Sequence, residues 1–347
     1  CSNTKQMMQT RANLIGRTYE KFIVLRPQEF VFNRRTTRNG EKIGMAYNNT
    51  DREYIFTNDY VAFRVKQEYL DKLLPDYLYL FFCRDEFDRY ARYKSTGSAT
   101  EFFNWEDMCA VPFEIPPMDF QQLVVNAYKV LNKRIETKQK INDNLEATAQ
   151  AYFDNLFFSC DDTDCTLADI ALVNPSRPLS KGVEARCFDM STLPTSGCIP
   201  TGDTTKPYNG GVRFINGDTL IARITPCLEN GKAAYINILN EGEVAFGSTE
   251  YIVFASKDDI PSCFYYFLIR NSKFVTFALQ FMNGSSGRQR VSGEELASFP
   301  LMIPSKEKLA AFNKVGKLVL EQMKESTEEI QFLKQLQETI TATLSSN

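Results

Sequence analysis

The stretch Gly284-Ser285-Ser286-Gly287-Arg288-Gln289-Arg290 concentrates binding chemistry in a short space. Glycines and serines let backbone approach an anion closely, while Arg288, Gln289 and Arg290 supply planar hydrogen-bond donors. A structural role competes for Arg290, which could pair with Glu294 across a loop-to-helix join. A second concentration is Arg34, Arg35, Arg38 and Lys42, four cations against the single acid Glu41. It contains Asn39 and Gly40 and follows the apolar run Phe30-Val31-Phe32, so it reads as a hairpin or loop after a buried strand. A solvated turn is the competing reading. Arg11 and Asn13 lie upstream in the same basic stretch, where residues 1–50 hold nine Lys or Arg and three acids. Arg223 and Lys232 occupy the analogous region of the second half, with Thr225 and Asn230 between them. Ser248, Thr249 and Glu250 adjoin a strand and could equally organise the fold.

What is missing narrows the chemistry further. The 347 residues include no histidine, which removes Ser-His-Asp and Cys-His catalysis and every histidine metal site. Nine cysteines are irregularly spaced, and only Cys160 and Cys165 lie close together, so no four-thiolate zinc site is expected. They read as reduced cytoplasmic thiols, mostly core filler. No Gly-x-x-x-x-Gly-Lys-Ser/Thr loop is present, and Asn174-Pro175-Ser176 is only a superficial match to a methyltransferase base-binding loop. Glu229 and Lys232 lack the third acid of a nuclease site. No cofactor, no metal and no transmembrane helix are expected. The chain begins at Cys1 rather than Met, so a missing N-terminus is expected.

The elements that must position these groups come in duplicate. Pro75-Asp76-Tyr77-Leu78-Tyr79-Leu80-Phe81 aligns with Pro261-Ser262-Cys263-Phe264-Tyr265-Tyr266-Phe267, Thr96-Gly97-Ser98 with Asn283-Gly284-Ser285, and Ile115-Pro116 with Ile303-Pro304, at offsets near 188. Glu53-Tyr54-Ile55-Phe56 is set against Glu250-Tyr251-Ile252-Val253-Phe254 as a matched strand. Phe30 to Asn33 and Thr219 to Ala222 are expected as buried strands, and Tyr77 to Tyr93 and Phe264 to Phe281 as matched aromatic helices packed in the core. On this repeat the first half lacks roughly 20 residues at its start.

Each half ends in a long helical segment opened by proline. In the first, Leu131, Ile135, Lys138, Asn142, Leu145, Ala149, Tyr152 and Leu156 follow 4-3 spacing. In the second, Val319, Met323, Ser326, Ile330, Leu333, Gln337, Ile340 and Leu344 repeat it. Matching registers predict an antiparallel coiled coil with Leu131, Ile135, Asn142, Leu145, Met323, Ile330, Leu333 and Ile340 at the helix-pair or partner interface. The fold class is α+β: a globular part over 1–115, a helix over 116–158, a second globular part over 159–303 and a second helix over 304–347.

Ile115-Pro116-Pro117-Met118-Asp119-Phe120-Gln121-Gln122 resembles the opening of the central helix in the specificity subunit of type I restriction–modification systems. Gly217-Asp218-Thr219-Leu220-Ile221-Ala222-Arg223, Gly247-Ser248-Thr249-Glu250-Tyr251 and Gly284 to Val291 are similar to segments of that family's target-recognition domains. The resemblance implies two domains that each read one half of a bipartite, asymmetric DNA site, with helices that space them and dock two adenine-methylating modification subunits. It also implies motor–nuclease restriction subunits for cleavage, and no catalysis by this chain. On that reading Arg11, Asn13, Arg34, Arg35, Arg38, Lys42, Arg223, Lys232, Gly284, Ser285, Arg288, Gln289 and Arg290 are the candidate DNA contacts. Two other readings stand beside it: an adaptor with duplicated domains on a coiled-coil spacer, and a methyltransferase or nuclease fragment. The net charge of −3 implies that partners supply much of the charge that neutralises DNA.

Overall fold

The structure is a computed structural model that describes residues 5–7, 18–35, 42–97, 100–159, 162–285 and 287–344. Arg11, Asn13 and Arg38 lie outside the described residues. The chain divides into two compact units, Cys1–Arg134 with Leu333–Asn347, and Ile135–Phe332. The boundaries fall inside the long helices, so each unit contains a stretch of both.

The first unit opens with β1 (Ile23–Leu25), β2 (Phe30–Asn33), β3 (Met45–Tyr47), β4 (Tyr54–Phe56) and β5 (Tyr60–Phe63). Phe30, Val31 and Phe32 are fully buried, as a continuous apolar run in a central strand requires. Accordingly β2 lies between antiparallel β3 and β5, with Phe30 opposite both Tyr47 and Phe63. The rings of Tyr47 and Phe63 stack on Phe30 at 4.7 Å and 5.0 Å. Strands β1 and β4 form a separate antiparallel pair. Helices α1 (Pro75–Phe82), α2 (Asp85–Lys94) and α3 (Trp105–Cys109) follow, and α4 (Met118–Phe157) begins after Pro116-Pro117.

The expected single helix from Tyr77 to Tyr93 is two helices. Arg84 turns extended at ψ 147°, its Nε donates to Phe81 O at 3.1 Å, and its guanidinium covers the Phe81 ring at 3.8 Å. Asp85, Glu86 and Asp88 then fill the first turn of α2, where carboxylates favour a new helix start.

The second unit contains β6 (Cys165–Thr166), α5 (Leu167–Ile170), β7 (Ala171–Val173), β8 (Glu184–Phe188), β9 (Thr204–Pro207) and β10 (Val212–Phe214). It continues with β11 (Thr219–Ala222), β12 (Ala233–Tyr235), β13 (Ala245–Gly247) and β14 (Tyr251–Ser256). Then come α6 (Cys263–Arg270), α7 (Ser272–Gln280), α8 (Gly293–Ala297), β15 (Pro300–Leu301) and α9 (Lys306–Thr343). One four-stranded sheet runs β12-β11-β14-β7, and a second runs β10-β13-β8-β9. The expected helix from Phe264 to Phe281 is also two, because Asn271 caps α7 by accepting from the amides of Lys273 and Phe274.

Topology corrects one element of the repeat. Among the described residues Tyr54–Phe56 pairs only with β1, whereas Tyr60–Phe63 is the strand beside β2. In the second unit Tyr251–Ser256 is the strand beside β11, with Ala222 opposite Tyr251 as Asn33 is opposite Tyr60. The equivalent of β14 is therefore β5, and the equivalent of Glu250 is Asp59, not Glu53. The sequence match was a local coincidence of Tyr-Ile and Phe, which any half-buried strand favours.

The helices follow the expected 3.6-residue logic. On α4, Gln121, Val125, Ile135, Asn142, Ala149 and Phe153 are buried; on α9, Phe312, Leu320, Met323, Ser326, Ile330 and Leu333. Leu131, Leu145 and Ile340 are half-buried. Within the second unit Lys138 Nζ meets Glu329 at 2.7 Å and Asn142 Nδ2 donates to Thr327 at 3.4 Å, an antiparallel register. Within the first, Gln337 Nε2 donates to Asn132 Oδ1 at 2.6 Å. A Cβ at Gly316 would stand 2.8 Å from Phe312 Cε1 and 3.2 Å from Cys263 Sγ, so only glycine lets α6 approach α9 this closely.

Candidate nucleic-acid interface

Sequence reading located polar concentrations far apart in the chain, and each unit brings its own pair together. In the first unit, Arg34 and Arg35 follow the central strand β2, and Thr96 and Phe102 are brought together beside them. Thr96 and Phe102 exchange both backbone hydrogen bonds, at 3.1 Å and 2.9 Å, and Phe103 N donates to Arg34 O at 2.8 Å. In the second unit, residues 223–232 connect β11 to β12, and residues 283–290 form the equivalent loop. Asn283 and Arg290 exchange bonds at 2.9 Å and 2.8 Å, and Val291 N donates to Arg223 O at 3.0 Å. Bridges from Arg35 to Phe102 and from Ile224 to Arg290 repeat the same placement.

The side chains differ between these two equivalent scaffolds. In the second unit Arg290 Nε points between the Glu250 oxygens at 3.0 Å and 2.9 Å, and Nη2 donates to Oε1 at 2.7 Å. Arg223 Nε stands 4.0 Å from the same carboxylate. The Arg290 hydrogen bonds hold the Glu250 carboxyl below the usual glutamate range, and that carboxylate raises the Arg290 guanidinium in turn. The expected partner Glu294 is thus replaced by Glu250. Arg288 is exposed, and among the described residues its guanidinium has no hydrogen bond or ion pair. Its amide donates to Ser285 O at 2.9 Å. Gln289 is bound through its backbone to Thr225, at 3.1 Å to Oγ1 and 3.0 Å to the amide. Gly284 has φ +131°, and a Cβ there would meet Arg288 O at 3.1 Å, so the turn needs a glycine.

In the first unit Arg35 Nη2 donates to Asp59 Oδ1 at 3.1 Å. Arg34, half-buried, occupies the place of Arg223, and the Nε atoms of both are buried without a hydrogen-bond partner among the described residues. Lys42 is exposed and pairs with Asp85 at 3.3 Å. Lys232 is turned inward, with Nζ donating to Met190 O. Asp59 and Glu250 are the residues that sequence reasoning missed or left undecided. Each directly precedes the strand paired with the central one, a signal hidden by the Glu53 alignment. Among the described residues no group of three His, Cys, Asp or Glu could hold a metal ion. No helix among them is long and apolar enough to cross a membrane.

Two α+β units, each built around a short antiparallel sheet with a closed polar loop beside its central strand, together with an antiparallel pair of long helices, define the class. The family model described as type I restriction modification DNA specificity domain matches twice, over residues 13–147 and 201–342. The chain belongs to this family. It is 28% identical over 197 residues to the type I restriction enzyme EcoEI specificity subunit of Escherichia coli, covering 52% of this chain and 32% of that protein. It is 36% identical over 96 residues to the EcoAI specificity subunit of the same organism, covering 27% of this chain and 16% of that protein. The matched stretch therefore spans about a third or less of these relatives. The crystal structure of the S subunit of a type I restriction–modification system from M. genitalium has a similar fold, with TM-score 0.53 and 13% identity over 92% of this chain and 83% of that one.

Proposed function

We propose that this chain is the non-catalytic DNA-reading subunit of a type I restriction–modification complex, each α+β unit reading one half of a bipartite, asymmetric site. The carrying observation is the duplicated loop scaffold that bears unlike side chains, Arg35 with Asp59 in one unit and Arg290 with Glu250 in the other. A shared scaffold gives both units the same way of meeting a duplex. Guanidinium donors set at different points of that scaffold, Arg35 beside the central strand and Arg290 at the loop end, give each unit a different base preference, because bases are distinguished by donor and acceptor pattern in the major groove. Arg34, Arg35, Lys42, Arg223, Gly284, Ser285, Arg288, Gln289 and Arg290 supply the contacts, with Arg11, Asn13 and Arg38 joining them, while Lys232, held inward by Met190 O, does not.

The helix pair acts as spacer and docking surface for two adenine-methylating modification subunits. Leu123 and Val130 in the first unit are 68% and 67% exposed at seven-residue spacing, and Leu318 and Phe332 in the second are 66% and 57% exposed. Apolar side chains repeated on the face opposite a buried seam suit partner helices. Restriction subunits join for cleavage, in the cytoplasm. Sequencing of methylated adenines in cells with and without this gene tests the reading: a two-part asymmetric motif that vanishes with the gene is expected. A continuous palindrome, or no dependent motif, sinks it, and failure of the complex with modification subunits to shift DNA favours a protein-binding adaptor.

A further inference from the structure

We propose that Arg290 reads a guanine and that Glu250 is the positioning residue that aims it, an inference that rests on the DNA-reading function above. A guanidinium has five N–H donors in a fixed plane. Glu250 takes the Nε donor and one from Nη2, and Arg288 O takes one from Nη1 at 3.2 Å. Among the described residues two donors remain without a partner, one on each terminal nitrogen, on a side chain that is 41% exposed. Paired donors of that kind match the adjacent O6 and N7 acceptors of guanine in the major groove.

Charge separates guanine from phosphate as the target. A phosphate contact gains from net positive charge and tolerates a flexible reach. Glu250 lessens that advantage at Arg290, because its carboxylate, 2.7 Å from Nη2, offsets one of the two guanidinium charges gathered there, the other being that of Arg223 at 4.0 Å. What the carboxylate supplies is direction. The backbone of Arg290 is fixed as well, by its two bonds to Asn283 and its bridge to Ile224. A planar donor held by side chain and backbone on a closed loop has the rigidity that base discrimination requires. Arg288, two residues away and with no acid against it, is the phosphate contact of the same loop. In the other unit Asp59 stands at the equivalent position, 3.1 Å from Arg35.

The experiment uses the complete complex with its modification subunits and duplexes carrying 7-deazaguanine, which lacks the N7 acceptor, at one guanine at a time. In wild type one guanine in the half-site of the second unit should become intolerant, with modification falling roughly ten- to hundredfold. Arg290→Ala should weaken modification of the normal site and no longer distinguish guanine from 7-deazaguanine there. Arg290→Lys keeps the charge and the ion pair but not the fork, so it should behave like Arg290→Ala if the role is base reading. Glu250→Gln should narrow the discrimination at that base while leaving the other half-site unchanged. Arg288→Ala should weaken all sequences alike and reduce the slope of log affinity against log salt by about one. Lysine substituting fully for Arg290, or an Arg290→Ala complex as sensitive to 7-deazaguanine as wild type, would overturn the inference while leaving the DNA-reading function intact. Sequence-independent modification by the wild-type complex would overturn both.

Discussion

Arg290 and Glu250, forty residues apart in sequence, meet in a side-on fork with Nη2 2.7 Å from Oε1. The contact ties the end of the 283–290 loop to the foot of β14. Glu250 is the group whose titration controls it. Its folded pKa lies below the ordinary glutamate value, so the pair contributes fully above the unfolded pKa. The contribution is lost as pH falls through the depressed folded value. Amide hydrogen exchange at Asn283 and Arg290 should therefore stay protected through mildly acidic pH and loosen only at lower pH. Glu250→Ala should remove that acid-dependent step, and a step that persists in the variant would assign it to another group.

How much of this was legible beforehand differs by level. Long helices announce themselves through sustained 4-3 spacing, and burial follows that spacing from Ile135 to Ala149 and from Met323 to Leu333, whereas Phe153 and Leu320 are buried in place of the expected Tyr152 and Val319, one position on. Buried strands such as Phe30–Asn33 were equally readable from a continuous apolar run. The breaks at Arg84 and Asn271 were not, because a single polar residue that ends one helix and starts the next leaves the apolar period almost unchanged. The partnership of Arg290 was hidden for a different reason. Sequence offers neighbours such as Glu294 as ion-pair candidates, while the sheet register brings up Glu250 from a strand forty residues away.

Gln121 offers a test of what the Pro-Pro-x-x-x-Gln-Gln segment does. Its side chain is fully buried. Nε2 donates to Lys72 O and to Pro116 O, each at 2.7 Å, and Oε1 accepts from Leu74 N at 2.9 Å. One amide thus fastens the start of α4 to the segment that leads into α1. Gln121→Ala removes the partner of three part-buried backbone groups, which costs about 1–3 kcal/mol because water can reach some of them in the variant. Urea unfolding followed at the first unit should show an unfolding free energy lower by about that amount. A change within 0.5 kcal/mol, the range of an ordinary surface substitution by about that margin, would mean the segment has no such anchoring role.

The thiols should react in an order set by burial. Cys198 and Cys263 are buried and pushed up to about 12, chiefly by desolvation of the thiolate, while Cys109 is exposed. A short maleimide pulse at mildly alkaline pH, read by mass spectrometry, should label Cys109 in the folded chain and Cys198 and Cys263 only after denaturant. The same shifts have a stability consequence. The unfolded thiols ionise first as pH rises, so the folded state loses stability from the unfolded pKa upward toward about 12. A chain that became more stable to urea over that range would contradict the sign.

Asn142 lies at 7% exposure in a polar stretch of the helix seam, beside Thr327 and near the Lys138–Glu329 pair. Its Nδ2 reaches Thr327 Oγ1 only at 3.4 Å, and its Oδ1 has no hydrogen-bond partner among the described residues. Ser326 Oγ, 3% exposed on the opposite helix, is in the same position. Two desolvated polar atoms in a seam lower stability relative to leucine, and a polar seam residue is retained in coiled coils where it fixes register. Asn142→Leu should therefore raise the unfolding free energy by about 1–3 kcal/mol, the scale of one buried unsatisfied group. The register between Lys138 and Glu329, now 2.7 Å apart, should become less exclusive. Cysteines introduced at 138 and 329, with competing cysteines at 322 and 336, would report this: under equilibrium exchange, the 138–329 disulfide should form almost alone in the parent background. In the Asn142→Leu background it should share with pairings one heptad away. A variant that is destabilised, or one equally strict in its pairing, would show that the polar seam positions serve neither stability nor register in the way the geometry indicates.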